Sequence, residues 1–300
     1  MKNMNTIAAI DIGSNAVRFL ISNIEEDSDK KCRKVAFLRV PVRLGEDAFT
    51  SGTISPERRA RLCEAMQSFD HLMKAFGVHA YRACATSAMR DAKNGPEVLA
   101  EIKEKSGIDV EIITGETEAE IIYAAAQPFI ASAGGGGEKN SLHVDVGGGS
   151  TEVVVYAEGR VAESHSFPLG TVRLLNKAVS SEEKDDFKAA LREIGGKYSI
   201  QRIIASGGNI NKAQKLLNKR EGEPVSYIEL KMLYDMHKKM TFEERIKNFK
   251  LTPYRADVII PALKIFLTIS KLCGAPNLIV PQVGLVDGII AKLFAERRCA

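Results

Sequence analysis

The sequence predicts a mixed α/β chain of two domains, and three observations carry that expectation. Two segments, AIDIGSNAVRFLI around Asp11 and HVDVGGGSTEVVV around Asp145, share an apolar run, Asp-x-Gly, small polar residues and a second apolar run. Strand-like runs arrive in consecutive groups before helix-like stretches, as a mixed sheet requires. The 300 residues, 45% of them hydrophobic, suit two medium cores, each carrying one copy of the repeat.

Taken in order, residues 7–12 and 17–24 read as a β-hairpin around the first copy, and the charged stretch 25–31 leads to a third strand near 35–40. Residues 56–76 carry helical spacing at Leu62, Met66, Phe69 and Met73 after a Ser-Pro start. A strand at 81–85, a helix at 96–105 ended by Gly107, and a strand at 110–113 follow, and Gly115 opens another helix. The glycine-rich stretch 131–140 lacks the Lys-Ser/Thr ending of a phosphate loop and reads as a surface connection. After the second copy come a strand near 164–167, an acidic-started helix at 181–194, and the strand 202–205, which delivers Ser206, Gly207, Gly208 and Asn209 to a helix start. Ser226 caps a helix over 227–240, Thr241 caps the next, and Thr252-Pro253 starts one long apolar helix ending at Gly274. A strand at 277–280 and a helix at 285–298 close the chain, leaving no residues for an additional regulatory domain.

Composition excludes several classes. The 42 Lys and Arg against 38 Asp and Glu leave a net charge of +4 with no long basic block, so nucleic acid is not expected as a partner. Five cysteines without Cys-x-x-Cys or nearby histidines at ligand spacing read as reduced thiols. The apolar residues 7–10 run straight into Asp11, too short and too polar for a signal peptide, and no segment has the length of a membrane span. The expectation is a soluble cytoplasmic protein.

In each copy the carboxylate ends a strand, the glycine permits a tight reversal, and the following N–H groups and hydroxyls are placed to face an anion. Ser14, Asn15, Gly147, Gly148, Gly149, Ser150 and Thr151 are the candidate phosphate-binding residues of these two cradles, with Ser206, Gly207 and Gly208 at a third turn. Arg18 stands seven residues after Asp11, as Glu152 does after Asp145, so one cradle is expected to be basic and the other acidic. Asp11, Asp145 and Glu152 repel phosphate unless a hard divalent cation intervenes, which makes them candidate metal ligands and magnesium the expected cofactor. The alternative is that these acids tie down their own turns through backbone N–H groups.

The segment TGETEAEIIYAAA puts Glu116, Glu118 and Glu120 in the first turns of a helix, where the dipole stabilises any carboxylate. Helical spacing turns Glu118 inward with Ile121, Ile122 and Ala125 and Glu120 toward solvent, so Glu118 is placed to orient or deprotonate water beside a bound phosphate. Arg90, in a polar turn after a strand, is suited to bidentate phosphate contact or equally to a surface ion pair. Arg18, Arg173 and Arg255 are candidate substrate contacts against the same alternative. His143, inside an apolar strand, reads as a core or edge histidine.

In that order, DIGSNAVRFLI, ATSAMRDAKNG, ITGETEAE, VDVGGGSTE, PLGTVRL and RADVIIPA resemble the exopolyphosphatase and guanosine-pentaphosphate phosphatase family over nearly the whole chain. The resemblance implies the actin-like, ribonuclease H-like two-domain fold with an interdomain active site, the domains spanning 1–126 and 127–284 with a last helix of about 285–300 packing back onto the first. It implies magnesium-assisted hydrolysis of a terminal phosphate, with a monovalent cation such as K+ as candidate activator. Glu118 is then the catalytic base, Asp145 and Glu152 hold the metal and water region, Arg90 grips phosphate, and the protein is a homodimer. The chain resembles the short members, without the HD-type helical domain, and departs from the family pattern at Ala16, Glu120, Asn209 and Val286.

The leading expectation is an exopolyphosphatase acting on short chains, with guanosine pentaphosphate hydrolysis as the runner-up. An actin-like sugar or acid kinase and a non-catalytic alarmone sensor rank lower, because Glu118 sits in the hydrolase motif and all the acids are retained.

Overall fold

The computed structural model describes residues 5–25, 32–132 and 140–299, with side chains described for 6–25, 32–127 and 140–296. The chain divides into two compact units, one formed by Met1–Ala125 with Leu285–Ala300, the other by Ala126–Gly284. The charged stretch 25–31 and the glycine-rich connection 131–140 fall largely outside the described residues.

The first unit runs β1 (Asn5–Ile12), β2 (Val17–Ile24), β3 (Cys32–Val40), α1 (Leu44–Ala48), α2 (Pro56–Ala75), β4 (Val78–Ala85), α3 (Ser87–Asp91), α4 (Gly95–Ser106), β5 (Glu111–Ile112) and α5 (Gly115–Ser132), the last helix continuing into the second unit. The second unit adds β6 (Ser141–Val146), β7 (Thr151–Ala157), β8 (Arg160–Phe167), α6 (Thr171–Leu175), α7 (Ser181–Tyr198), β9 (Arg202–Ser206), α8 (Gly208–Leu216), β10 (Val225–Ser226), α9 (Tyr227–Lys238), α10 (Phe242–Phe249), α11 (Pro253–Ala256), α12 (Ile259–Leu272) and β11 (Asn277–Ile279). Helix α13 (Leu285–Cys299) belongs to the first unit.

The two sheets are copies of one plan. The first is ordered β3-β2-β1-β4-β5 and the second β8-β7-β6-β9-β11-β10. In both, the first three strands form an antiparallel meander and two more add in parallel on the other side, β4 and β5 in the first sheet and β9 and β11 in the second, where β10 adds antiparallel at the edge. Alternating residues explain the layers. Ala8, Ile10 and Ile12 of β1 join a core with Leu62, Met66 and Phe69 of α2, where the rings of Phe19 and Phe69 stack at 4.6 Å. On the other face, Ile7 and Ala9 pack with Ile121 and Ile122 of α5 and with Leu285, Val286 and Ile289 of α13. In the second sheet, Leu142, Val144 and Val146 of β6 share a core with α7 and α12.

Four expected elements differ. The long apolar helix after Pro253 breaks at Asp257–Val258 into α11 and α12. Pro261 supplies the reason: it has no N–H for the Asp257 carbonyl, and its ring crowds that carbonyl four residues back. Conversely, α7 runs past the Gly195-Gly196 pair to Tyr198; Gly195 serves close packing rather than a helix end, since a side chain there would come within 2.6 Å of the Leu272 carbonyl at the end of α12. The turn holding Arg90 is the short helix α3, and the strand at 110–113 shrinks to the two residues of β5.

Cys32, Cys63, Cys84 and Cys273 are free thiols, and the Cys299 side chain lies outside the described residues. Burial pushes the Cys84 and Cys273 thiols up to about 12. Since the thiolate is the nucleophile, we expect neither to react with an aromatic disulfide reagent at pH 8 until the protein is unfolded; peptide mapping of labelled native protein checks this.

Gly196 lies on an open face of α7, where an added methyl group would meet nothing within 4 Å. Gly196→Ala should therefore stabilise the protein by about 0.4–1 kcal/mol in urea unfolding.

Candidate active site

Both hairpins close in the same way. Ile12 pairs with Val17 and Val146 with Thr151, so each loop has four residues, and in each the glycine after the first strand donates to the carbonyl three residues on: Gly13 to Ala16 at 3.3 Å, Gly147 to Ser150 at 3.0 Å. The loop carbonyls are then tied to a neighbouring segment. The Ser14 and Asn15 carbonyls accept from Gly45 and Arg43 at 2.8 and 3.2 Å. Those of Gly147 and Gly148 accept from Thr171 and Val172 at the start of α6 at 3.0 and 2.7 Å, and Arg173 Nε donates to the Gly149 carbonyl at 2.6 Å.

A trans peptide points its carbonyl and its N–H in opposite directions. Anchoring those carbonyls therefore turns the N–H groups of Asn15 and Ala16 in one loop, and of Gly148, Gly149 and Ser150 in the other, away from the anchoring segment. This is the backbone geometry of an anion cradle. The hydroxyls contribute differently from expectation: Thr151 Oγ1 donates to the Leu169 carbonyl, Ser14 Oγ shares a hydrogen bond of 2.9 Å with Ser87 Oγ, and Ser206 Oγ lies 3.1 Å from His143 Nε2. Thr151 and Ser206 are fully buried, so their hydroxyls bind within the protein.

Strand register brings the charged residues into two matching rows. Across the first sheet run Cys84, Asp11, Arg18 and Arg39 on β4, β1, β2 and β3. Across the second, at the equivalent positions, run Ser206, Asp145, Glu152 and Ser166 on β9, β6, β7 and β8. In the first row Arg18 forms an ion pair with Asp11. Burial pushes the Asp11 carboxyl above its usual range, and Arg18 pulls it back only in part. Asp11, expected as a cation ligand, thus meets an arginine from its own hairpin.

The second row has no arginine. Asp145 and Glu152 are 8% and 1% exposed and offer carboxylate oxygens within 4.8 Å of one another, and Ser166 Oγ donates to Glu152 Oε1 at 3.2 Å. Two adjacent buried carboxylates supply the hard oxygen donors that Mg2+ prefers, so the residues fit such an ion. His143 lies two residues before Asp145 on the central strand β6, and burial lowers it to about 4, which keeps the ring neutral. It is a core histidine, as its apolar context suggested.

The three acids of α5 separate. Thr114 caps the helix, accepting from Thr117 N–H at 3.2 Å. Hydrogen bonds from its own backbone N–H and from Thr114 hold the Glu116 carboxyl below its usual range. Glu120 is exposed, and Glu118 is buried at 7% exposure. The arginines expected at the substrate all reach carbonyls or a carboxylate: Arg90 Nη1 donates to Ile113 at 2.8 Å and Arg255 Nη1 to Gly208, besides the Arg18 and Arg173 contacts above. By binding the carbonyls of Gly149 and Gly208, Arg173 and Arg255 direct the N–H groups of Ser150 and Asn209 the opposite way. Arg43 and Ser166 carry no sequence signal; only their register and anchoring bonds reveal them.

Two tandem copies of a β-meander, two parallel strands and flanking helices, each with a cradle at the first hairpin, define a mixed α/β protein of the actin-like fold. The chain belongs to the Ppx/GppA phosphatase family, whose sequence model matches residues 21–296. It is 32% identical over 185 residues to exopolyphosphatase 2 of Mycobacterium tuberculosis, a match covering 60% of this chain and 56% of that protein. A guanosine-5'-triphosphate,3'-diphosphate pyrophosphatase of Photobacterium profundum is 25% identical over 97% of this chain and 60% of its own length. The matches thus span a little over half the length of these curated relatives. Among solved structures, a Ppx/GppA family member of Aquifex aeolicus aligns with a TM-score of 0.78 at 29% identity over 98% of this chain and 99% of that one. An exopolyphosphatase of Cytophaga hutchinsonii aligns with a TM-score of 0.82 at 23% identity over 97% and 98%, a likeness of fold. Among the described residues, no helix is long and apolar enough to cross a membrane.

A side chain at Gly170 would lie 2.4 Å from the Gly148 carbonyl and 2.5 Å from Gly149 C. Gly170→Ala should therefore push the second cradle off its anchor and cost about 1–3 kcal/mol in chemical denaturation, whereas a value within error of wild type would show that the loop does not lean on α6.

Proposed function

We propose that this chain hydrolyses phosphoanhydride bonds at the end of inorganic polyphosphate, releasing orthophosphate, with Glu118 as the general base. The observation that carries the reading is the buried pair Asp145 and Glu152 beside a loop whose N–H groups are turned outward by their own anchored carbonyls. A family of phosphatases supplies the reaction class.

Asp145 and Glu152 would hold Mg2+, which when bound supplies positive charge against the phosphate oxygens. Gly148, Gly149 and Ser150 N–H groups bind the anionic chain without titrating. Glu118 takes a proton from water as the water oxygen attacks the terminal phosphorus and the bond to the bridging oxygen breaks. Its position one turn into α5, buried while Glu116 and Glu120 are exposed, supports that role. Arg173 and Arg255 act on the backbone that carries the donors, and Arg18 neutralises Asp11. Asp11 is left outside the ligand set by that pairing. A homodimer and a cytoplasmic setting complete the reading, the latter supported by the free thiols.

A second reading, removal of the terminal phosphate of guanosine pentaphosphate, is favoured by the Photobacterium profundum relative, whose match covers 97% of this chain. Initial rates on short polyphosphate, long polyphosphate and guanosine pentaphosphate, measured in parallel, decide between the two.

Glu118→Gln keeps the shape and removes the base. We expect kcat to fall by about 10²–10⁴-fold with KM little changed; phosphate release at the wild-type rate would remove Glu118 from the mechanism. Chelation with EDTA should abolish turnover and Mg2+ restore it. Tight nucleotide binding with no phosphate release at micromolar enzyme would instead identify a sensor.

A further inference from the structure

The two rows differ in what stands beside the acids. In the first, the partner of Asp11 is Arg18 and the next residue outward is Arg39; in the second, Glu152 and Ser166 occupy those places. Where the first row has Cys84 on β4 and continues to Glu111 on β5, the second has Ser206 on β9, whose hydroxyl is engaged by His143. The acidic row is therefore flanked by neutral hydroxyls on both sides. An arginine or lysine at either end would bind the carboxylates and compete with a metal ion. An apolar residue would leave a buried carboxylate oxygen with fewer donors.

Ser166 makes the more informative contact. Its hydroxyl donates to Glu152 Oε1 at 3.2 Å from the neighbouring strand β8, and the backbone register of Glu152 with Ser166 fixes the donor's position. The terminal torsion of glutamate is broad and roughly two-fold, so an unrestrained carboxylate samples many planes. One hydroxyl fixed by a β-ladder restricts that rotation without changing the charge of the site. Partners of this kind orient a ligand before the ion arrives.

We propose that Ser166 is a positioning residue of the cation seat, setting the plane of the Glu152 carboxylate for a divalent ion held with Asp145. The inference rests on the proposed role of Asp145 and Glu152. It predicts an effect on metal affinity in the absence of substrate, with no contact between Ser166 and the phosphate required.

The test is calorimetric titration of Mn2+ and Mg2+ into the full chain, wild type and Ser166 variants, together with melting temperatures in EDTA. Ser166→Ala should weaken Mn2+ binding by about 10-fold, within the range for residues that orient a metal ligand. Ser166→Thr keeps the hydroxyl and should recover most of the loss, and the metal-free melting temperatures should agree. Equal Mn2+ affinity for wild type and Ser166→Ala, or an equal loss in Ser166→Thr, overturns the role of Ser166 alone. A wild-type protein that binds neither ion at millimolar concentration overturns the cation seat itself, and with it the proposed mechanism.

Discussion

A carboxylate at the buried end of a central strand must be answered by another group, because an uncompensated ion in the interior costs several kcal/mol. The two halves of this chain meet that demand in opposite ways. Asp11 is answered by Arg18 from the adjacent strand. Asp145 faces Glu152 at the equivalent place, so the adjacent strand adds a second negative charge. The first arrangement is complete without a ligand. In the second, Ser166 donates to Glu152 and the two acids keep oxygens within reach of one another, the donor set on which the proposed cation seat rests.

The cradles show how such a site is held by ordinary backbone geometry. Each four-residue loop is fixed by an internal bond and by carbonyls anchored to a following short helix. Arg43 adopts a left-handed conformation, φ 61°, at the point where its N–H reaches the Asn15 carbonyl. Such a conformation is costly for a residue with a side chain and persists where surrounding contacts enforce it. Ion pairs from Glu46 to Arg43 and Arg58 supply that enforcement. The corresponding place in the second unit is Gly170, where the backbone of the loop approaches too closely for any side chain. One half fixes its loop by a salt-bridged arginine, the other by the absence of a Cβ.

Much of this is legible in the amino-acid order. The repeated Asp-x-Gly turn reveals the duplication, and its seven-residue offset correctly gives Arg18 and Glu152 equivalent places, because strand pairing in both hairpins preserves that spacing. Helical period separates Glu118 from Glu120. What pattern reading misses has physical causes. Pro261 acts four residues upstream, so the break after Ala256 is invisible to a scan for caps. Gly195 resembles a helix end, but tertiary packing against α12 requires it inside one. Arg90, Arg173 and Arg255 suit phosphate by type and setting, and each also donates one N–H to a backbone carbonyl, an anchoring bond that residue type alone does not reveal. Ser166 has no local signal at all; it matters only through register with Glu152, two strands from Asp145.

The chemistry of the acidic row also restricts which ion the proposed seat would favour. Its side chains present oxygen donors throughout, and the thiol at the matching position of the other row, Cys84, is replaced by Ser206. The nearby imidazole of His143 is directed at that serine hydroxyl. Soft or borderline ions gain most from thiolate and imidazole, while carboxylate and hydroxyl sets suit magnesium, manganese and calcium. Phosphate oxygens are hard donors too, so on the proposed function the substrate and the row would favour the same class of ion. The proposed seat thus rests on one feature of the sheet, the absence of nitrogen and sulfur from the line of side chains Ser206, Asp145, Glu152 and Ser166 across four strands.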